Sequence, residues 1–326
     1  MLPVAVDAMG GDHAPANIVE GALAAARRGI EVLLVGRSDL PADFELGDIE
    51  VLEASEVIGM DEDPAQGVRR KKDSSLVRAA EAVRDGRASA MISAGNTGAA
   101  MASALLRMGR IKGVSRPAIA TPIPVPGAGP TVLLDAGANS EVQPDWLVQF
   151  AQMGSIFARQ RFAIARPRVG LLSIGEEPGK GDQLRKDTFG LLEAVDGIDF
   201  IGNVEGRDIM TDDVDVVVTD GFTGNVVLKT LEGAMKSLVA GLLGAFDTND
   251  DTRAHAEALL PALLPLYETL DPETYGGAML LGVDGVCIIS HGSSSARAIA
   301  NAIGVARDMV EADVVAEIRA AIAESA

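Results

Sequence analysis

The chain has 326 residues, of which 48% are hydrophobic, enough for one large α/β domain or two ordinary ones. Its 47 acidic and 28 basic side chains give a formal net charge of −19, which argues against general nucleic-acid binding because that requires a basic surface. The single cysteine, Cys287, excludes a disulfide framework and a cysteine-clustered zinc site, and no apolar run approaches the ~18 residues of a membrane span.

Short apolar segments alternate with helical patterns along the chain, and several are apolar throughout, as in strands covered on both faces. The first residues lack the basic segment of a signal peptide, so we expect a cytoplasmic protein. The alternation predicts a three-layer α/β/α fold with a largely parallel sheet. The predicted strands are residues 2–8, 31–36, 49–54, 88–94, 118–125, 131–136, 168–174, 200–204, 214–219 and 286–290. The predicted helices are residues 16–28, 75–85, 97–108, 144–157, 184–195, 223–246, 251–264 and 293–324.

One segment, residues 122–130, is rich in proline and glycine. Such a segment is either a crossover between two lobes or only a loop between two strands. We expect residues 1–326 to form a single catalytic unit, in which residues 122–130 are the candidate meeting point of two lobes.

Polar, glycine-rich loops follow six of the predicted strands. Because ligands bind outside the carboxyl ends of the strands in an open parallel sheet, we expect these loops to share one edge. Small-residue turns that open into helices present free N–H groups to an anion, although helix capping alone explains any one of them. Taken as a set, they favour an anion site. The loops are residues 7–15, 93–98, 135–141, 173–181, 219–225 and 290–295.

Several well-known motifs are absent. Gly175–Lys180 lacks the spacing of a phosphate-binding P-loop. Gly127 and Gly129 have the spacing that begins a dinucleotide-binding glycine motif, but Pro130 follows them and is incompatible with that motif. There is no Gly-x-Ser-x-Gly nucleophile elbow. Cys287 lies in an apolar run and is expected to be an inert core residue. A metal site built from His13, Asp7 and Asp12 is conceivable, but its spacing is not diagnostic, so we predict no metal.

Two histidines and two lysines lie where strands end or helices begin. His13 and His291 either take part in catalysis or hydrogen-bond their own loops, and the sequence leaves both open. Lys180 could hold phosphate or stabilise an oxyanion, or it could be a solvated lysine paired with a nearby glutamate. The same alternatives apply to Lys229, for which a surface position is favoured. The cluster Arg69, Arg70, Lys71 and Lys72 is either a solvated face or a landing place for an acidic macromolecule.

Taken together, these loops resemble the PlsX family, the bacterial acyl-acyl carrier protein:phosphate acyltransferases of phospholipid synthesis. Ser173 stands where the family commonly has Asn, and the stretch around Pro178 varies. The resembling stretches cover nearly the whole chain: VDAMGGDHAP (6–15), RRKK (69–72), SAGNTGA (93–99), LDAGAN (134–139), LLSIGEEPGKG (171–181), VVVTDGFTGNVVLKTLEG (216–233), YGGA (275–278) and HGSS (291–294).

The resemblance implies a fold related to phosphotransacetylases and isopropylmalate dehydrogenase, and a homodimer. It also implies a reaction in which inorganic phosphate takes an acyl group from the thioester of acyl carrier protein. The product, acyl phosphate, would be used by the next acyltransferase at the membrane. No cofactor is implied.

In this reaction phosphate is itself the nucleophile, so the enzyme must position it, stabilise the oxyanion and assist departure of the thiolate. We expect Lys180 to be catalytic and His13 and His291 to orient phosphate. Asp12, Asn139 and Asp220, with Asp7, are expected chiefly to organise the loops, and Arg69–Lys72 to dock the carrier. The residues predicted to bind phosphate or the acyl group are Gly10, Gly11, Asp12, Ser93, Asn96, Thr97, Asn139, Asp220, Asn225 and Lys229.

Residues 223–267 predict a protruding helical hairpin, with apolar residues at helical spacing in both arms. Pro261 and Pro265 are expected to kink or end the second arm. We interpret the apolar face as a dimer interface. The alternative is the reversible membrane contact associated with the family. The acidic tip, residues 247–251, would be repelled by anionic lipid, which leaves only the neighbouring leucines to touch a bilayer.

Three other functions remain to be distinguished. A phosphotransacetylase acting on acyl-CoA is the nearest, and the basic cluster and motifs favour the carrier protein over it. A dehydrogenase of the isopropylmalate type would need a divalent metal and a nicotinamide, which nothing in the sequence specifies. A non-catalytic scaffold for lipid enzymes at the membrane would have no need of six polar loops.

Overall fold

The structure is a computed structural model, and it describes residues 1–324; the last two residues of the predicted 1–326 unit lie outside the described residues. The described strands form one sheet in the order β3-β2-β1-β4-β11-β10-β5-β6-β9-β7-β8. They are Val4–Asp7 (β1), Val32–Gly36 (β2), Glu50–Glu53 (β3), Ala90–Ser93 (β4), Ala118–Ile123 (β5), Thr131–Leu134 (β6), Arg168–Leu172 (β7), Asp199–Val204 (β8), Val216–Val218 (β9), Ala278–Leu281 (β10) and Val286–Ile289 (β11).

Helices cover both faces of this sheet, so the predicted three-layer α/β/α fold is confirmed. Helices α1, α6, α7, α10 and α11 pack on one face, and α4, α5 and the start of α8 pack on the other. The α-helices are Ala16–Arg27 (α1), Leu40–Asp43 (α2), Pro64–Arg70 (α3), Ser75–Arg84 (α4), Thr97–Ser103 (α5), Pro144–Phe162 (α6), Gln183–Ala194 (α7), Gly221–Phe246 (α8), Asp250–Leu270 (α9), Ala296–Glu311 (α10) and Val314–Glu324 (α11). A π-helical segment, Ala104–Met108, continues α5.

All ten predicted strands are present, but β10 was missed. Its four residues follow Gly276 and Gly277, and so short a segment after two glycines is typical of a loop. The predicted final helix is two helices, because Asp313 adopts a left-handed backbone (φ 51°) that ends the regular winding. Residues 122 and 123 end β5, and residues 124–130 form the turn of the β5–β6 hairpin. The division into lobes stays a prediction.

The predicted helical hairpin is present, and its second arm is longer than expected. Helix α9 continues through both Pro261 and Pro265 to Leu270. A proline inside a helix deprives a carbonyl one turn earlier of its partner. Residues along this stretch are largely exposed, so water can solvate the freed carbonyls.

The expectation that all six polar loops share one edge of the sheet is wrong. Strands β1, β2, β3, β4 and β11 run parallel to one another. Strand β10 is antiparallel to both of its neighbours, and β5 is antiparallel to β6. The second parallel set, β6, β9, β7 and β8, therefore runs opposite to the first. Three loops follow the first set and three follow the second.

Candidate active site

The first loop group comprises residues 7–15, 93–98 and 290–295, which follow β1, β4 and β11. These loops converge through their glycines. A Cβ added to Gly10 would lie 2.8 Å from the main-chain nitrogen of Gly95, so only glycine permits this approach. The Asp12 N–H donates to the Gly292 oxygen at 2.8 Å. His13 and His291 are therefore on neighbouring loops on the same side of the site.

Beneath these glycines, Asp7 and Ser93 form a buried pair. The Ser93 hydroxyl donates to Asp7 Oδ2 at 2.7 Å and accepts from the Gly95 N–H at 3.0 Å. Burial raises the pKa of Asp7 above its ordinary value, and the hydrogen bonds to its carboxylate offset this only in part. The Ser93 hydroxyl is thus engaged within the protein, where it holds the loop.

Asn96 is similarly engaged. Its Oδ1 caps α5 by accepting from the Ala99 N–H at 3.0 Å. Its Nδ2 donates to the main-chain oxygens of Met60 and Glu62 at 3.0 and 3.1 Å. Asn96 therefore holds the neighbouring segment 59–62 against the first loop group.

Lys71 also holds the segment 59–62 in place. Its ammonium group pairs with the Glu62 carboxylate and donates to the Val57 oxygen at 2.7 Å. Of the four basic residues predicted to dock a carrier, Arg69, Arg70 and Lys72 are exposed, whereas Lys71 is only partly exposed and engaged within the chain.

Four predicted residues of the first loop group are exposed: Asp12, His13, Thr97 and His291. Thr97 begins α5, so its hydroxyl lies at the positive end of that helix. The Ser293 N–H donates to His291 Nδ1 at 3.2 Å. Because Nδ1 acts as an acceptor there, Nε2 is the nitrogen that can face a ligand.

The second loop group comprises residues 135–141, 173–181 and 219–225, which follow β6, β7 and β9. Asp135 is buried and accepts from the N–H groups of Ile119, Ala138 and Asn139 at 2.8–3.0 Å. Burial raises the pKa of Asp135 in spite of these bonds. The Asn139 amide donates to the Pro117 oxygen at 2.8 Å and to Asp135 at 2.9 Å, so Asn139 also organises its loop.

Asp220 caps the amino end of α8 and faces a buried arginine. It accepts from the Thr223 N–H at 2.8 Å and pairs with Arg185. Burial raises the pKa of Asp220, but the bonds from Thr223 and Arg185 outweigh it and hold the pKa below its ordinary value. Arg185 also donates to the Thr219 hydroxyl at 3.0 Å, and it was missed from the sequence because nothing in its helical pattern distinguishes it from a surface arginine.

Three predicted residues in or just beyond the second loop group are exposed: Lys180, Asn225 and, four residues further along α8, Lys229. Lys180 Nζ lies 4.0 Å from the Glu177 carboxylate, too far for a hydrogen bond, and its side chain is 51% exposed. Lys229 Nζ bonds Glu232 at 2.9 Å. Asn225 lies beside Gly137, where an added Cβ would be 3.5 Å from Asn225 Cβ.

The helices behind the two loop groups meet in one hydrophobic cluster. Ala99 and Ala100 of α5 and Ala136 of the second loop group belong to it, and Leu228 of α8 packs against it. The helix that follows Thr97 and the helix that carries Asn225 therefore lie on the same face of the sheet.

Other chemistry finds little support in the described part of the chain. Burial raises the pKa of Cys287 to about 12, so the thiol is an inert core group, as predicted. Among residues 1–324, no group of three His, Cys, Asp or Glu side chains is placed to hold a metal ion. No helix within that range combines the length and apolar character needed to cross a membrane. A cavity of about 430 Å³ lies beside the amino end of β8, away from the second loop group, which follows the carboxyl ends of the neighbouring strands, and Phe189 and Phe200 are in its lining.

A family model described as fatty acid synthesis protein matches residues 2–317. The chain belongs to this family, the PlsX family. The chain is 49% identical over 326 residues to the phosphate acyltransferase of Desulfitobacterium hafniense, covering 98% of this chain and 97% of that protein. The expected membership is confirmed.

Solved structures establish the relation at the level of the fold. A phosphotransacetylase from Streptococcus pyogenes superposes with a TM-score of 0.62 at 16% identity, covering 95% of this chain and 94% of that one. A 4-hydroxythreonine-4-phosphate dehydrogenase from Klebsiella pneumoniae superposes with a TM-score of 0.54 at 14% identity, covering 95% of this chain and 100% of that one. At these identities the likeness concerns architecture only, and it confirms the expected fold relation to phosphotransacetylases and to dehydrogenases.

Proposed function

We propose that this protein transfers a fatty acyl group from acyl-acyl carrier protein to inorganic phosphate, giving acyl phosphate for phospholipid synthesis. The observation that carries the proposal is the 49% identity, over nearly the whole of both chains, to a protein named phosphate acyltransferase. The fold shared with a phosphotransacetylase supports the same reaction class.

The exposed residues of both loop groups suit this chemistry. A phosphate oxygen attacks the thioester carbonyl, the tetrahedral oxyanion collapses, and the carbon–sulfur bond breaks to release the carrier thiolate. Lys180 stabilises the oxyanion or the departing sulfur, and His13 and His291 orient phosphate. Phosphate and the acyl carbonyl are bound by Gly10, Gly11, Thr97, Asn225 and Lys229, whereas Asp12, Ser93, Asn96, Asn139 and Asp220 hold the loops that present them.

The two loop groups can serve one site because the sheet twists. Adjacent strands rotate by about 20–25°, so six steps from β1 to β9 accumulate roughly 120–150°. Strands β1 and β9 run in opposite directions in the sheet, so this twist would reduce the angle between their directions from 180° to roughly 30–60°. Their carboxyl ends would then point toward the same side of the molecule. We propose that both groups face one cleft over the central strands. The hydrophobic cluster shared by α5 and α8 supports this arrangement.

The hairpin supports a proposed homodimer. Its exposed apolar side chains need cover in water, and a second copy would supply it. These side chains are Leu238, Leu242, Leu243, Leu259, Leu260, Leu264, Leu266 and Tyr267. Sedimentation should therefore give a dimer, and a monomer would contradict the proposal. Flotation with liposomes tests the alternative, contact with the inner face of the membrane, where the next acyltransferase works.

The first experiment measures acyl phosphate formed from phosphate and palmitoyl-acyl carrier protein, beside palmitoyl-CoA, with and without Mg²⁺. We expect product from the carrier substrate without added metal. Product from the CoA ester alone would indicate a phosphotransacetylase, and no product from either would favour the scaffold. Lys180→Ala should lower turnover at least 100-fold, and turnover within a few-fold of wild type would refute the assignment of Lys180.

A further inference from the structure

Asn203 lies at the carboxyl end of β8, beneath the loop that carries Lys180. Its side chain is buried, with 5% of the residue exposed. Its Nδ2 donates to the main-chain oxygen of Glu177 at 2.8 Å, and the Lys180 main-chain N–H donates to the same oxygen at 3.0 Å. The Glu177 carbonyl oxygen therefore accepts from both the Asn203 side chain and the Lys180 main chain, which links Asn203 to the turn that carries Lys180.

The other end of this amide has no hydrogen-bond partner among the described residues. Asn203 Oδ1 is buried without a donor. The hydroxyl of Ser173, at the start of the loop that carries Lys180, is also buried without a partner. Buried polar atoms are almost always paired in native proteins, so an unpaired one calls for an explanation, and a donor elsewhere in the site that can reach it is one such explanation. An amide oxygen accepts hydrogen bonds only, which excludes an anion and fits an ammonium group.

Lys180 can supply that donor. Its stem lies against Gly175, where an added Cβ would come within 3.0 Å of Lys180 Cγ. The Lys180 side chain is about half exposed, and its ammonium group is too far from the Glu177 carboxylate for a hydrogen bond, so little holds it near Glu177. A lysine side chain contains four methylene groups joined by rotatable bonds, so its ammonium group can change position while the main chain stays fixed.

We infer that Asn203 is a positioning residue for Lys180. Its Nδ2 fixes the turn through the Glu177 carbonyl, and its Oδ1 accepts a hydrogen bond from the Lys180 ammonium group when the lysine turns inward from Glu177. This inference rests on the proposed function, because it assigns Asn203 to the lysine that the proposed function makes catalytic.

A double-mutant cycle tests the inference in the acyl phosphate assay. Asn203→Ala should lower kcat at least 10-fold and change KM for either substrate less than about 3-fold. In the Lys180→Ala background the same substitution should cost nothing further, because residues that act through one another are not additive. The matched control is Asn301→Ala, since Asn301 Nδ2 likewise bonds a glutamate carbonyl, that of Glu273, at 3.1 Å; its activity should stay within 2-fold.

Independent losses in the double variant, or wild-type kcat in Asn203→Ala, would overturn the inference. If Asn203→Ala does not fold, Glu177→Gln is the deciding variant. Because it removes the carboxylate that competes for the Lys180 ammonium group, kcat should stay at or above the wild-type value. A tenfold loss of kcat would mean that catalysis uses the pair of Lys180 with Glu177, which would overturn the inference. Activity retained by Lys180→Ala would instead refute the proposed role of Lys180. Loss in Lys180→Ala with a neutral Asn203→Ala would refute this inference alone.

Discussion

Asp220 and Arg185 show how far single residues can be interpreted from sequence. Asp220 was predicted as a site residue because it lies in a polar loop after a strand. Its partner, Arg185, belongs to α7, and only the folded structure shows that the two side chains pair. Ser93, Asn96 and Asn139 were correctly placed at strand ends, yet the side chain of each is hydrogen-bonded within the protein, to main chain and, for Ser93 and Asn139, also to a buried aspartate. Sequence gives the residue type and its loop, whereas the spatial neighbours decide whether a side chain faces a ligand or the protein.

Asp220→Asn should destabilise the protein by about 3 kcal/mol at pH 7, because it leaves Arg185 buried without its closest charge partner. Asparagine still caps α8, so capping is preserved. The folded-state pKa of Asp220 is lowered, so its stabilisation is present above the unfolded pKa of about 4 and is lost as pH falls through the folded value. The difference from wild type should therefore shrink in acid, as measured by urea unfolding at several pH values.

Asp182→Asn is the matched control for this substitution. Asp182 contacts the same arginine and also caps a helix, but its side chain is 60% exposed. We expect a loss below about 1 kcal/mol. Equal losses in the two variants would contradict a special role for the buried pair.

At the scale of elements, the start of α8 shows why glycine recurs in the site motifs. Gly221 and Gly224 let the first turn of this helix lie directly on the 135–139 loop, and the Gly221 N–H donates to the Asn139 oxygen at 2.7 Å. Sequence predicted every described strand except β10, and most helices, because these segments are largely apolar or periodic. It could not predict that the β5–β6 hairpin reverses the second half of the sheet, because strand direction depends on pairing between distant segments.

Gly224→Ala should destabilise the protein by at least about 2 kcal/mol, although alanine is the better helix former by about 1 kcal/mol. The added Cβ would collide with the main-chain oxygen of Asp135 and push α8 away, so acyl phosphate formation should fall as well. The control is Gly233→Ala in the same helix, where nothing lies near the added atom. Urea unfolding should show Gly233→Ala to be as stable as wild type or more so; a stable, active Gly224→Ala would contradict the packing argument.

At the scale of the whole molecule, charge poses the main problem for a carrier partner. The chain carries −19 overall, and an acidic carrier protein would be repelled unless it meets a local basic surface. Arg69 and Arg70 end α3, are exposed, and lie close in sequence to the segment that Asn96 holds against the first loop group. That placement would bring a docked carrier beside the exposed residues of the site, which is the geometry that thioester delivery requires.

Arg69→Glu/Arg70→Glu should raise KM for acyl-acyl carrier protein at least 10-fold and flatten its dependence on salt, because the attraction between opposite charges is screened by ions. KM for phosphate and kcat should change little, since neither residue contacts the reacting atoms. The matched control is Arg27→Glu/Arg28→Glu, which reverses two exposed arginines at the end of α1 on the opposite face of the sheet. Steady-state kinetics at two or more salt concentrations compares the two. An equal rise of KM in both variants would mean that net charge, rather than this surface, governs docking.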